Sequence, residues 1–238
     1  MNAAFSKTGA LALCAAVLTA SLATLSAAVS DKLKSRIDES ATVLTEIHES
    51  PDKDVPKELW DRATCVIVIP SVKKAAFVFG GEYGKGLMAC RKGGAWSAPV
   101  FMQLQKGSWG LQIGAQSIDL ILLVNNERGM KKLLGNKVTL GADASIAAGP
   151  IGRTTSAATD AQLTAQMLAY SRSKGVFAGI DLSGGSLRPD DSANAKMYGA
   201  EHSARQIAFG TVPVRLTVEA RAFANALGRD VRATSGVK

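Results

Sequence analysis

Histidine and cysteine are scarce in this chain: two histidines and three cysteines stand among 238 residues. His48 lies near the end of a polar helical segment and His202 in a surface-like Glu-His-Ser segment, and neither has an obvious partner for acid–base work. With so few soft ligands so widely scattered, no zinc-ligand spacing can be drawn. Aromatic residues make up 5% of the sequence, which leaves little for stacking nucleic-acid bases. No GxSxG elbow is present, so Ser145 has no motif to make it a nucleophile. Gly81, Gly84 and Gly86 fall in the wrong order for a dinucleotide fingerprint and lie between strands. Gly84-Lys85-Gly86 lacks the hydroxyl residue that a phosphate-binding P-loop places after its lysine. Asp119 and Asp143 sit in apolar strand-like runs, where an isolated acid is a hydrogen-bonded structural carboxylate far more often than a catalyst. These absences point away from an enzyme, from a bound cofactor or metal, and from a nucleic-acid partner.

What is there begins with an uncharged, Ala- and Leu-rich run from Thr8 to Ala28, preceded by Lys7 and closed by the small residues Ser26-Ala27-Ala28. That pattern predicts a secretory leader over residues 1–28, with one domain following over 29–238. Cys14 is preceded by Leu13, where a lipid-attachment motif wants a small residue, so lipidation there is the lesser reading. Export to the periplasm, the envelope or the medium leaves Cys65 and Cys90 in an oxidising compartment, as a disulfide or as two buried thiols. The formal charge of +8 is unevenly spread: Lys7 contributes +1, the segment from Asp31 to Thr64 is net −3, that from Cys65 to Asp160 net +6, and that from Ala161 to Lys238 net +4. A basic body on an exported protein suits anionic surfaces.

Leu33, Ile37, Leu44 and Ile47 recur at helical spacing, so Asp31 to His48 reads as a helix, with a short one following around Pro56 to Arg62. From Cys65 the period becomes that of strands: CVIVIP, AAFVFGGEYG and KGLMACR, with Gly80 to Gly86 as a hairpin corner. WSAPVFMQLQ and WGLQIGAQSIDLILLV continue the pattern, the latter bending near Gly114. A helix capped by Asn125 or Asn126 runs to Leu134, and a strand is expected from Lys137 to Ala148. A hairpin follows around Ser173-Lys174-Gly175, then a helix from Asp190 to Tyr198 and a last one from Leu216 to Leu227, stopped by Gly228. Strands in succession with few helices between them imply an α+β fold: a mostly antiparallel, barrel-like sheet covered by a few short helices.

KVTLGADASIAAGPIGR, from Lys137 to Arg153, is a stretch of small residues with one acid that looks buried, Asp143. Such a backbone suits close approach by another element or a ligand. GADASIAAGPIGR (Gly141–Arg153), IPSVKKAAFVFGGEYGKG (Ile69–Gly86) and AYSRSKGVFAGIDLSGGSL (Ala169–Leu187), followed by Asn194 and Tyr198-Gly199, resemble the SYLF domain family, also called the Ysc84 actin-binding family. The resemblance runs from about Asp31 to Leu227.

That resemblance implies binding of phosphoinositides and other acidic phospholipids, and in some members binding of actin. It therefore raises two kinds of partner, an anionic phospholipid or membrane surface and another protein. A third option is an internal pocket holding an acyl chain. Some members bind membranes through an N-terminal amphipathic helix. Here that helix carries Asp38, Glu39, Glu46 and Glu49, which oppose an anionic bilayer, so it is expected to cover the sheet instead. The bases within the matching motifs are the lipid-binding candidates: Lys73, Lys74, Lys85, Arg153, Arg172 and Lys174. Arg153 and Arg172 have the geometry to clamp a phosphate. Lys131 and Lys132 belong to the same class with weaker motif support.

Overall fold

The computed structural model describes residues 31–49, 55–76, 79–109, 114–150, 160–173, 176–212, 214 and 216–232. The leader expected over 1–28 lies outside them. Helix α1 (residues 31–48) buries Leu33, Ile37, Leu44 and Ile47 as their spacing predicts, and α2 (Lys57–Arg62) follows. The sheet is built from β1 (Cys65–Ala76), β2 (Phe79–Lys92), β3 (Ala95–Trp96), β4 (Val100–Trp109) and β5 (Gly114–Val124). After α3 (Glu127–Gly135), capped by Asn126, come β6 (Val138–Thr139), β7 (Ile146–Ala148), α4 (Asp160–Thr164), β8 (Met167–Ser173), β9 (Val176–Gly179) and β10 (Ser186–Pro189). Helices α5 (Asp191–Tyr198), α6 (Ala204–Phe209) and α7 (Val218–Arg232) complete the described fold.

The strands form one curled sheet in the order β6-β10-β4-β2-β1-β5-β8-β7, with β3 beside β2 and β9 beside β8. Every pairing between named strands is antiparallel except β7 with β8. Both faces are buried, which is why CVIVI and LILLV read as unbroken apolar runs rather than alternating ones. Cys65, Ile67, Met102 and Leu122 face one core with Met130 and Leu133 of α3 and Ile207 of α6. Val66, Val68, Phe101 and Leu123 face the other, under α1, α2 and α7. Cys65 and Cys90 are direct partners across β1 and β2 and form a disulfide. It closes a loop with a sequence separation of 25, for which chain entropy gives roughly 3 kcal/mol.

Several expectations need correction. Gly80 to Gly86 is not a hairpin corner: it lies within β2, paired to β1 on one side and β4 on the other. The reason is Pro70. A proline has no amide to give a central ladder, so β1 bulges, and Ser71 takes a left-handed φ of 51°. The β2 backbone then runs so close to β1 that a Cβ on Gly84 would lie 2.5 Å from Ile69 Cγ2. One on Gly86 would fall on the Val68 carbonyl oxygen. The expected strand from Lys137 to Ala148 is broken into β6 and β7 by a turn. There Gly141 has φ 87°, and the Asp143 carboxylate accepts the Thr139 amide at 2.7 Å. Asp143 is exposed, contrary to expectation. Gly228 does not stop the last helix, which continues to Arg232.

The close-approach reading of the small-residue stretch is correct at Gly149, where a Cβ would overlap the Tyr170 ring, and Gly179 in turn packs on the Gly149 backbone. Replacing Gly86 by Ala should destabilise the fold by about 3 kcal/mol or more, since neither backbone can yield cheaply. Gly107→Ala, where an added Cβ meets nothing within 4 Å, should cost less than about 1 kcal/mol. Urea denaturation of both variants checks the contrast.

Candidate anion-binding groove

The bulge that Pro70 forces into β1 leaves a groove between that strand and the N-terminal half of α1. Ser35, Glu39, Pro70 and Ser71 line its middle and divide it into two concavities. One, about 470 Å³, is basic: Lys32 and Arg36 come from α1, Lys73 from β1 and Lys85 from β2, with Tyr83 beside them. The other, about 530 Å³, is acidic: Asp31, Asp38, Asp119 and Glu219 outnumber Lys34 and Arg172.

Each concavity is braced by an ion-pair hub. On the basic side, Asp190 Oδ2 lies 3.1 Å from both Arg36 Nη1 and Lys85 Nζ. Asp190 also caps α5, accepting from Ser192 Oγ at 3.0 Å. Its side chain is 3% exposed, against 13% for Arg36 and 38% for Lys85. Burial opposes ionisation of Asp190, but the hydrogen bonds from Lys85, Ser192 and Arg36 outweigh it and hold the carboxyl below the usual range. Asn194, one turn along α5, fixes the helix to β4. It accepts the Phe101 amide at 2.8 Å and donates to the Phe101 carbonyl at 3.1 Å.

On the acidic side, Asp119 accepts the Ser71 amide at 2.9 Å, replacing the ladder partner that the bulge removes. Its other oxygen takes Arg172 Nε at 2.9 Å, and Arg172 also pairs with Glu46 of α1. Burial pushes the Asp119 carboxyl up against the pull of the Ser71 amide, and the nearby Glu39 charge adds to the rise.

Of the residues singled out in the sequence, Lys73 and Lys85 meet in the basic concavity. Arg172 lies in the acidic one, its guanidinium taken up by Asp119 and Glu46. Lys74 pairs through its backbone with Glu82 of β2. Its side chain, and Arg153 and Lys174 altogether, lie outside the described residues. Lys131 and Lys132 are on α3, beneath the opposite face of the sheet, where Lys131 pairs with Glu127 at 3.0 Å and Lys132 donates to the Asp143 carbonyl. Sequence reasoning missed Lys32, Arg36 and Asp190. Lys32 and Arg36 stand four apart on one helix face, a signal hidden by the net negative charge of their segment. Asp190 enters the sequence reading only as the first residue of a short helix.

The chain matches the Ysc84 family, described as Las17-binding protein actin regulators, over residues 105–229. It belongs to that family. LAS seventeen-binding protein 3 of Saccharomyces cerevisiae is 31% identical over 207 residues, covering 80% of this chain and 45% of the yeast protein. Protein YSC84 of the same yeast is 32% identical over 207 residues. Human SH3 domain-containing YSC84-like protein 1 is 31% identical over 192 residues, 78% of this chain and 56% of its own length. The chain thus spans about half the length of the curated relatives it matches. The family match, beginning at Gln105, includes Asp119, Arg172, Asp190 and Asn194, whereas Lys32, Arg36, Lys73 and Lys85 fall before it.

Asp190 sets the sign of a pH effect. Its carboxyl titrates lower in the folded chain than in the unfolded one, so its stabilisation is full above about pH 4 and is lost as pH falls through the lower folded value. Asp190→Ala, which strands two cations and a helix cap, should cost roughly 3 kcal/mol at pH 7. The deficit should shrink towards pH 2 in a series of urea melts.

Proposed function

We propose that this Ysc84-family chain is a non-catalytic binding module whose basic concavity takes the phosphate of an anionic phospholipid headgroup. The observation that carries the reading is the convergence of Lys32, Arg36, Lys73 and Lys85, from three separate elements, on one surface hollow. Tyr83 stands at its rim, 41% exposed, and tyrosine is a side chain that favours the membrane–water boundary. Two of the four cations come from α1. The first helix therefore serves the site by supplying one wall while its apolar face stays buried in the core under the sheet. A leader over residues 1–28 would deliver this groove to the lipids of the cell envelope.

A protein partner is the second reading, supported by the family's description as Las17-binding actin regulators. A pull-down that succeeds from lipid-free protein would favour it. For the lipid reading, the chain should co-sediment with phosphatidylcholine vesicles containing phosphatidylglycerol and not with phosphatidylcholine alone, and binding should weaken as salt rises. Lys32 and Lys73 form no ion pair among the described residues, so their reversal leaves both hubs intact. The double variant Lys32→Glu/Lys73→Glu should lose at least about tenfold in vesicle affinity, since each base near an anionic surface contributes about 1 kcal/mol. Equal binding to neutral and anionic vesicles would contradict the proposal.

A further inference from the structure

We infer that the groove is a single-phosphate site, in which Asp190 and the acidic flank of α1 limit how much negative charge a ligand can carry. The inference rests on the headgroup reading above and narrows it. The basic concavity holds four cations, but it does not offer four free positive charges. Asp190 lies against Arg36 and Lys85, 3.1 Å from each, and Glu39 stands in the lining itself. Two of the four charges are thereby answered from within the protein. The remaining surplus suits a phosphodiester with one negative charge or a phosphomonoester with about −1.5 to −2.

A headgroup with several phosphates brings more charge than that, and its extra groups have nowhere favourable to lie. Past Ser35 and the Pro70–Ser71 bulge the groove continues into the concavity lined by Asp31, Asp38, Asp119 and Glu219. Its two cations are already engaged. Lys34 is 4.0 Å from Glu219, and Arg172 is held by Asp119 and Glu46. Extra phosphates would therefore face carboxylates, a repulsion that selects by charge. Size does not exclude them, because a hollow of about 470 Å³ has ample room for an inositol ring. Asp190 has a second consequence. By holding Arg36 and Lys85 on one carboxylate oxygen it fixes both cations before ligand arrives, leaving Lys32 and Lys73 to close on the phosphate.

The test is co-sedimentation with two vesicle series in phosphatidylcholine, one containing phosphatidylglycerol and one phosphatidylinositol bisphosphate, matched for total negative charge. The wild-type chain should bind the phosphatidylglycerol vesicles at least as tightly as the bisphosphate ones. Asp190→Asn, which keeps a side-chain oxygen to cap α5, should shift the ratio towards bisphosphate by tenfold or more. If circular dichroism shows that this variant does not fold, Asp31→Asn/Asp38→Asn on the exposed flank of α1 should shift the ratio the same way. A wild-type preference of tenfold or more for bisphosphate at matched charge overturns the inference and leaves the headgroup reading standing. A ratio unmoved by these variants overturns it as well. Binding to neither vesicle series overturns both.

Discussion

Pro70 sits in the middle of a central strand and cannot donate a hydrogen bond there. Most of what is distinctive in this molecule follows from that missing amide. The strand must bulge, and Ser71 enters the left-handed region. Its amide, turned out of the ladder, is taken by the Asp119 carboxylate. Asp119 in turn orients Arg172, and Arg172 reaches Glu46 on the first helix. A defect in one ladder is thus converted into an anchored contact between sheet and helix. The same defect brings β2 against β1 so closely that only residues without a side chain, Gly84 and Gly86, fit there. It also opens the groove in which the candidate site lies. Bulges commonly re-aim side chains beside functional sites, and Lys73, just past this one, points into the basic concavity.

The second organising feature is that most of the charge around the groove is compensated locally. Arg36 and Lys85 share Asp190, while Arg172 is divided between Asp119 and Glu46. Such pairs contribute little net stability when exposed and cost much when one buried partner is removed. Here they act mainly as positioning devices, holding cations in fixed places around a hollow. Lys32 and Lys73 have no such partner among the described residues, so they are the charges a ligand meets first. A count of lysines and arginines in the sequence registers all of these alike. The ion pairs decide which are available.

Much of the architecture was legible in the residues. The helical spacing of Leu33, Ile37, Leu44 and Ile47 gave α1 and its buried face, and the Asn125-Asn126 pair gave the start of α3, where Asn126 is the cap. The apolar runs around Val66 and Leu122 read as strands, and the fold covers them on both sides. What failed had local causes that only the fold supplies. The glycines from Gly80 to Gly86 carry the signature of a turn, yet they answer a neighbouring strand's bulge, which no pattern within β2 reveals. Asp143 looked buried among small residues, but its carboxylate makes the turn that exposes it. The candidate site was half legible: Lys73 and Lys85 fall in recognisable motifs, while Lys32 and Arg36 reach the same hollow from a helix whose overall charge is negative. Asp190 joins them through a contact spanning 154 residues of sequence. Such distance leaves no trace in spacing.

The central claim is that ligand enters the groove between α1 and the β1 bulge rather than any other surface. Hydrogen–deuterium exchange of the chain with and without phosphatidylglycerol-containing vesicles tests it most directly. The account predicts slowed exchange in the first two turns of α1, at Ser71 to Lys73 and at Tyr83 to Lys85, with α3 and α6 on the opposite face unchanged. Slowing confined to α3 and α6, with the groove unaffected, would contradict it.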